Sequence, residues 1–207
     1  MPRKTRPLDR DLGQVRDASL IVIASEDELI VKDYFSRFGS SRVSVLVLPT
    51  EGGRSAPAAV LARLDDFGKE YQIRDDDQLW LCTDKDHWAE PAHIANLVQM
   101  LQQCRQKGYQ VAISNPCFEL WLLLHVEDVD PAAPLKCSEI VKKLKALPGG
   151  YNKKDCDGLG VDGSKVAKAV ERAACLDTDG SAIPDAMLTR VYGIIRVLQA
   201  KGVIGLA

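Results

Sequence analysis

Ser19-Leu-Ile-Val-Ile-Ala24 is the stretch whose reading decides the fold. It is short, continuously apolar and rich in β-branched residues. That pattern suits a strand covered on both faces, as in a parallel sheet. Three similar runs follow: Arg42–Leu48, Gln78–Thr83 and Tyr109–Ser114. Between them lie segments of helical character. Glu26 to Phe38 ends near Gly39, and a second runs from Ser55 and Pro57 to about Tyr71. The third, Pro91 to Lys107, places Ile94, Leu97, Val98 and Leu101 on one face and stops at Gly108. The order βαβαβαβ with short links predicts a Rossmann-like α/β fold, a parallel sheet of about four strands with helices on both faces.

Beyond Asn115-Pro116 the chain reads as helical, with Pro116 in a first turn and Asn115 as cap. Further helices are expected at 136–147, 162–175 and 184–200, with a loop over 148–158. The expected division is a basic arm over 1–18, an α/β core over 19–126 and a helical C-terminal extension over 127–207.

The 207 residues are 46% hydrophobic and 27% charged, enough to bury a core without metals or disulfides. Twenty-seven bases against 29 acids exclude binding to nucleic acid by bulk charge alone. No apolar run approaches a membrane span, and the basic start lacks the apolar segment of a signal peptide. A soluble cytoplasmic protein is expected. Cys82, Cys104, Cys117, Cys137, Cys156 and Cys175 show no CxxC pair and no zinc spacing, so they read as reduced thiols.

Ligands of open parallel sheets bind beyond the carboxyl ends of the strands, so polar residues there are the candidates. The first strand ends at Glu26, the third at Asp84-Lys-Asp86, and the fourth leads to Asn115 and Glu119. Two carboxylates at i, i+2 in a turn can aim at one hard cation, Mg²⁺ or Mn²⁺. Glu26 is a third ligand or a general acid/base. Glu119, in the first turn of an otherwise apolar helix, faces the site or caps the helix. His125 is expected to contact the helix C-terminus. For phosphate contact the candidates are Arg54 after the Gly52-Gly53 turn, His87, Asn115, and Lys153 with Lys154 beside Tyr151. Arg3, Lys4 and Arg6 read as a mobile basic arm. Lys142, Lys143 and Lys145 do not share one helix face and read as solvated.

The segments LIVIASEDELIVKDYF (20–35), LWLCTDKDHW (79–88) and above all AISNPCFELWLLLH (112–125) resemble the RloB-like, AbiLii-related family. The resemblance extends through TRVYGIIRVL (189–198). It implies a Toprim-type core and a metal-dependent nuclease of phage-defence systems. It maps Glu26 onto the Toprim glutamate, and Asp84 and Asp86 onto the DxD pair. The same resemblance implies nucleic acid, DNA or RNA, as substrate. It names a defence ATPase encoded nearby and a second copy of the chain as partners, with no membrane. One departure stands out. The family reads Cys-Glu-Gly and then Lys-Thr-Glu-Pro before Tyr-Phe. Here Asp27 replaces the glycine, and Leu29 to Lys32 replace the second acid, with Glu28 and Asp33 nearby. That departure supports an alternative, a catalytically weakened nucleic-acid-binding or regulatory partner. A response-regulator-like or small-molecule α/β protein is a third reading. It is opposed by the lack of a Lys at a later strand end and of a Gly-rich phosphate loop.

Overall fold

The structure is a computed structural model and describes residues 3–4, 18–50, 57–86, 91–178 and 180–204. Strands β1 (Ser19–Ser25), β2 (Val43–Val47), β3 (Gln78–Asp84) and β4 (Gln110–Asn115) alternate with helices α1 (Glu28–Phe35), α2 (Pro57–Glu70) and α3 (Pro91–Lys107). Helices α4 (Glu119–Leu123), α5 (Cys137–Ala146) and α6 (Gly163–Leu176) follow, then β5 (Leu188–Thr189) and α7 (Tyr192–Ala200). The sheet order is β2-β1-β3-β4-β5. The first four strands are parallel, and β5 pairs antiparallel with β4.

Alternation explains why β1 is apolar throughout. Leu20, Val22 and Ala24 face one core with Leu61 and Leu64 of α2 and Leu97 of α3. Ile21 and Ile23 face the other, with Tyr34 of α1, Trp121 of α4 and Ile195 of α7. β3 behaves alike, sending Leu79 and Leu81 to the first core and Trp80 and Cys82 to the second. Both faces are covered, so neither carries the polar half of an amphipathic strand.

Several expectations are corrected. The apolar stripe of α3 is Leu97, Met100, Leu101 and Cys104, while Ile94 and Val98 are exposed. The first half of the expected 184–200 helix is instead β5 and its approach. Asn115 does not cap a helix. Its amide donates to the carbonyls of Pro184, Asp185 and Ala186 at 3.2, 2.9 and 2.9 Å. Lys85 joins it there, with Nζ 2.7 Å from the Pro184 carbonyl. These two side chains bring residues 184–186 to the end of β4 and so start the fifth strand. The basic arm is anchored at Lys4, whose N–H donates to the Glu70 carbonyl at 2.7 Å; Arg6 lies outside the described residues. Cys117 and Cys137 are joined in a disulfide, contrary to the all-thiol expectation. Spacing hides it, because the packing of α5 on α4 is what makes the two meet. Cys82, Cys104, Cys156 and Cys175 are free. Among the described residues no helix is long and apolar enough to cross a membrane.

Candidate functional site

The chain leaves β1 toward β2 on one side of the sheet and later returns to β3 on the other. Sheets of this order open a crevice between those two strands at their carboxyl ends. Glu26 and Asp84 flank that crevice. Ser25 pairs with Cys82, so the next residues on each strand, Glu26 and Thr83, are neighbours. Thr83 Oγ1 accordingly donates to Glu26 Oε1. The turn after β3 is pinned to the exit of β4, with Lys85 N–H on the Ser114 carbonyl at 2.7 Å and Asp86 N–H on the Pro116 carbonyl at 3.2 Å.

Asp84 is the focus of the electrostatics. Its carboxyl is held well above the ordinary carboxylate range. Burial is the largest cause, followed by the charges of Glu26, Glu119 and Asp86, with a hydrogen bond from the Phe118 backbone N–H opposing them. The structure therefore brings Glu26, Asp84 and Glu119 together, with Asp86 the weakest of the three influences on Asp84. Glu119, the first residue of α4, is buried. No side chain caps α4. Glu119 instead serves the crevice, where Tyr151 OH donates to Oε1 at 2.9 Å.

Loop 148–158 closes over these acids, which its sequence did not disclose. Lys153 Nζ lies 3.0 Å from Asp27 Oδ2 and 3.8 Å from Glu119 Oε1. Burial works against its ammonium, but the Asp27 hydrogen bond and the charges of Asp27, Glu119 and Asp84 prevail and raise its pKa. Both lysines are exposed, and Lys153 is the one whose ammonium reaches the carboxylates. Tyr151, the neighbour of these lysines, is buried.

Asp33, proposed as a substitute acid, faces the far end of the loop. It accepts from Cys156 N–H at 2.8 Å and Cys156 Sγ at 2.9 Å, and pairs with Arg37 at 3.1 Å. Burial works against its charge, yet those hydrogen bonds and the Arg37 charge keep its pKa low. Asp33 is thereby committed to anchoring the loop. Arg63, unremarked in the sequence, ties the strand ends, with its guanidinium 2.5 Å from the Ser25 carbonyl and 3.2 Å from the Leu48 carbonyl. His125 stands apart from the crevice in the second core. Its Nδ1 donates to the Trp121 carbonyl at 2.9 Å, leaving Nε2 to accept from Tyr34 OH at 3.1 Å. It does touch the last turn of α4, but as a neutral ring. Arg54, His87 and the side chain of Glu28 lie outside the described residues.

Fold and crevice define an α/β protein whose acids gather at a topological switch point. Residues 21–198 match the family model described as RloB-like protein, and the chain belongs to the RloB-like family. No curated protein and no solved structure matches it.

Proposed function

We propose that the chain is a Mg²⁺-dependent, or Mn²⁺-dependent, phosphodiesterase of nucleic acids, a Toprim-type nuclease working in a cytoplasmic phage-defence system beside an ATPase encoded nearby. The observation that carries this reading is the crowding of Asp84 by Glu26, Glu119 and Asp86 at the switch point. Their donors are all carboxylate oxygens, which fit a hard cation. Glu26, Asp84 and Glu119 would hold the ion, with Asp86 at the margin. A bound Mg²⁺ supplies water activation and neutralises charge on the reacting phosphate.

The chain's own residues supply the rest. Glu26, oriented by Thr83, takes or returns a proton at its carboxylate. Lys153, already among the carboxylates, draws a phosphate oxygen toward them. Lys154, with Arg54 and His87, tracks the backbone of DNA or RNA, whereas the Asn115 amide is committed to the carbonyls of residues 184–186. The test is a cleavage screen over plasmid, single-stranded DNA and total RNA with Mg²⁺ and Mn²⁺. EDTA, Glu26→Gln, and Asp84→Ala with Asp86→Ala should each abolish cleavage. Undiminished cleavage by the double variant would sink the reading.

One observation favours the regulatory alternative. Asp27, in place of the family glycine, holds the Lys153 ammonium over the acids. A protein closed in this way binds nucleic acid without cutting it, and retention on DNA or RNA without products under every metal would identify it.

A further inference from the structure

Beside the carboxylates, a second set of ligating atoms converges. The sulfurs of Cys117 and Cys137 and a carboxylate oxygen of Asp86 all lie within 4.8 Å of one another. Cys137 Sγ is also 3.9 Å from Glu119 Oε2. Three separate parts of the chain deliver these groups: the turn after β3, the approach to α4, and the first residue of α5. Two of them are fixed independently of the sulfurs. The Asp86 N–H bonds to the Pro116 carbonyl, one residue before Cys117, at 3.2 Å. Asp86 is exposed, which leaves an ion a route from solvent.

The two sulfurs are bonded to each other in the structure. A dithiol reductant opens that bond by passing two electrons and two protons to the sulfurs, and leaves as its own cyclic disulfide. Two thiols then remain on Cα atoms 5.8 Å apart. Tetrahedral thiolate ligation sets sulfurs roughly 3.8 Å apart, for metal–sulfur bonds of about 2.3 Å. Rotation of the two side chains supplies that separation. Mg²⁺ avoids thiolates, whereas two sulfurs and a carboxylate oxygen suit a borderline-soft divalent ion.

We propose that reduced Cys117 and Cys137, with Asp86, form a binding site for a divalent cation of the zinc class. It adjoins the all-oxygen cluster around Asp84, meets it at Asp86, and is mutually exclusive with the disulfide. Water completes the four ligands, and the two thiol protons pass to solvent as the ion binds. Oxidation expels the ion: two electrons pass from the thiolates to a disulfide-class oxidant, which takes two protons from solvent and leaves as two thiols, and the sulfurs rejoin. Reduction state thus decides whether α4 and α5 are clipped by sulfur or by metal, at the wall of the carboxylate crevice.

Cobalt(II) is the probe, because thiolate ligation gives it a near-ultraviolet charge-transfer absorption that oxygen ligation does not. The reduced full chain, held in excess Mg²⁺, should bind one equivalent of Co²⁺ with that absorption, and Zn²⁺ should bleach it. The oxidised chain and the Cys117→Ser/Cys137→Ser variant should lack it. Asp86→Asn should weaken Co²⁺ binding by more than about tenfold, the smallest loss expected even for an outer-shell partner. Should the double variant fail to fold, Cys137→Ser alone, at a half-buried position, carries the same expectation. The proposal is overturned if the reduced chain unfolds or gives no charge-transfer band. It is equally overturned if the band persists at full strength in the cysteine variants. None of these readouts depends on cleavage, so the nuclease reading stands or falls separately.

Discussion

His125 sits in the folded protein as a neutral ring. Burial is the main reason, outweighing its hydrogen bonds to the α4 backbone and lowering its pKa from 6.5 to about 4. Between those values the unfolded chain binds the proton and the native chain does not, so stability rises with pH across the window. The contribution is complete above pH 6.5 and is lost as pH falls toward 4. A shift of that size corresponds to about 3 kcal/mol. Urea unfolding at several pH values should show the wild type losing that amount, and His125→Gln should flatten the slope. Parallel profiles would remove His125 from the account. At this scale the sequence was legible where residues mark strand ends, as Glu26 and Asp84 do. His125, Tyr151 and Asp33 were not, because their partners lie on elements distant in the chain.

Among the elements, loop 148–158 has the most consequence for the crevice. Gly149 and Gly158 let its two arms cross. A Cβ on Gly158 would lie 2.5 Å from the Gly149 carbonyl oxygen, and Gly149 has φ of +96°. Neither position tolerates a side chain without shifting backbone. Tyr151 and Lys153 are carried into the acids between them, and Cys156 is held by Asp33 beyond. Lys153 is thus a built-in cation where a divalent ion is proposed to bind. Lys153→Gln should leave the carboxylates less neutralised, so Mg²⁺ should bind more tightly while the metal-free melting temperature falls. Calorimetry and thermal melts read the two effects, and weaker Mg²⁺ binding would make Lys153 a support rather than a competitor of the metal. The main strands were readable because each is long and apolar. β5 was not, since two residues carry no period and its pairing depends on tethers from Asn115 and Lys85.

The whole molecule carries the electrostatic consequence of gathering its acids at one sheet edge. Composition could not announce this, because 27 bases nearly balance 29 acids over the chain. Topology separates them, by placing the ends of β1, β3 and β4 side by side. The raised Asp84 carboxyl means the native state holds a proton that the unfolded chain releases at lower pH. Stability therefore falls as pH rises from the ordinary aspartate value through the raised one, and remains lower above it. Asp84→Asn removes that penalty and should raise the metal-free melting temperature at neutral pH. Mg²⁺ acts in the same direction on the wild type, since it binds the native cluster and finds no equivalent in the unfolded chain. At about 100 times its dissociation constant the gain is about 2.7 kcal/mol, with roughly 2–4 °C for each kcal/mol in a domain of this size. The Asn variant should show a smaller Mg²⁺ increment than the wild type. A melt in which Asp84→Asn lowers metal-free stability, while Mg²⁺ shifts both proteins equally, would show that these carboxylates do not act as one metal site.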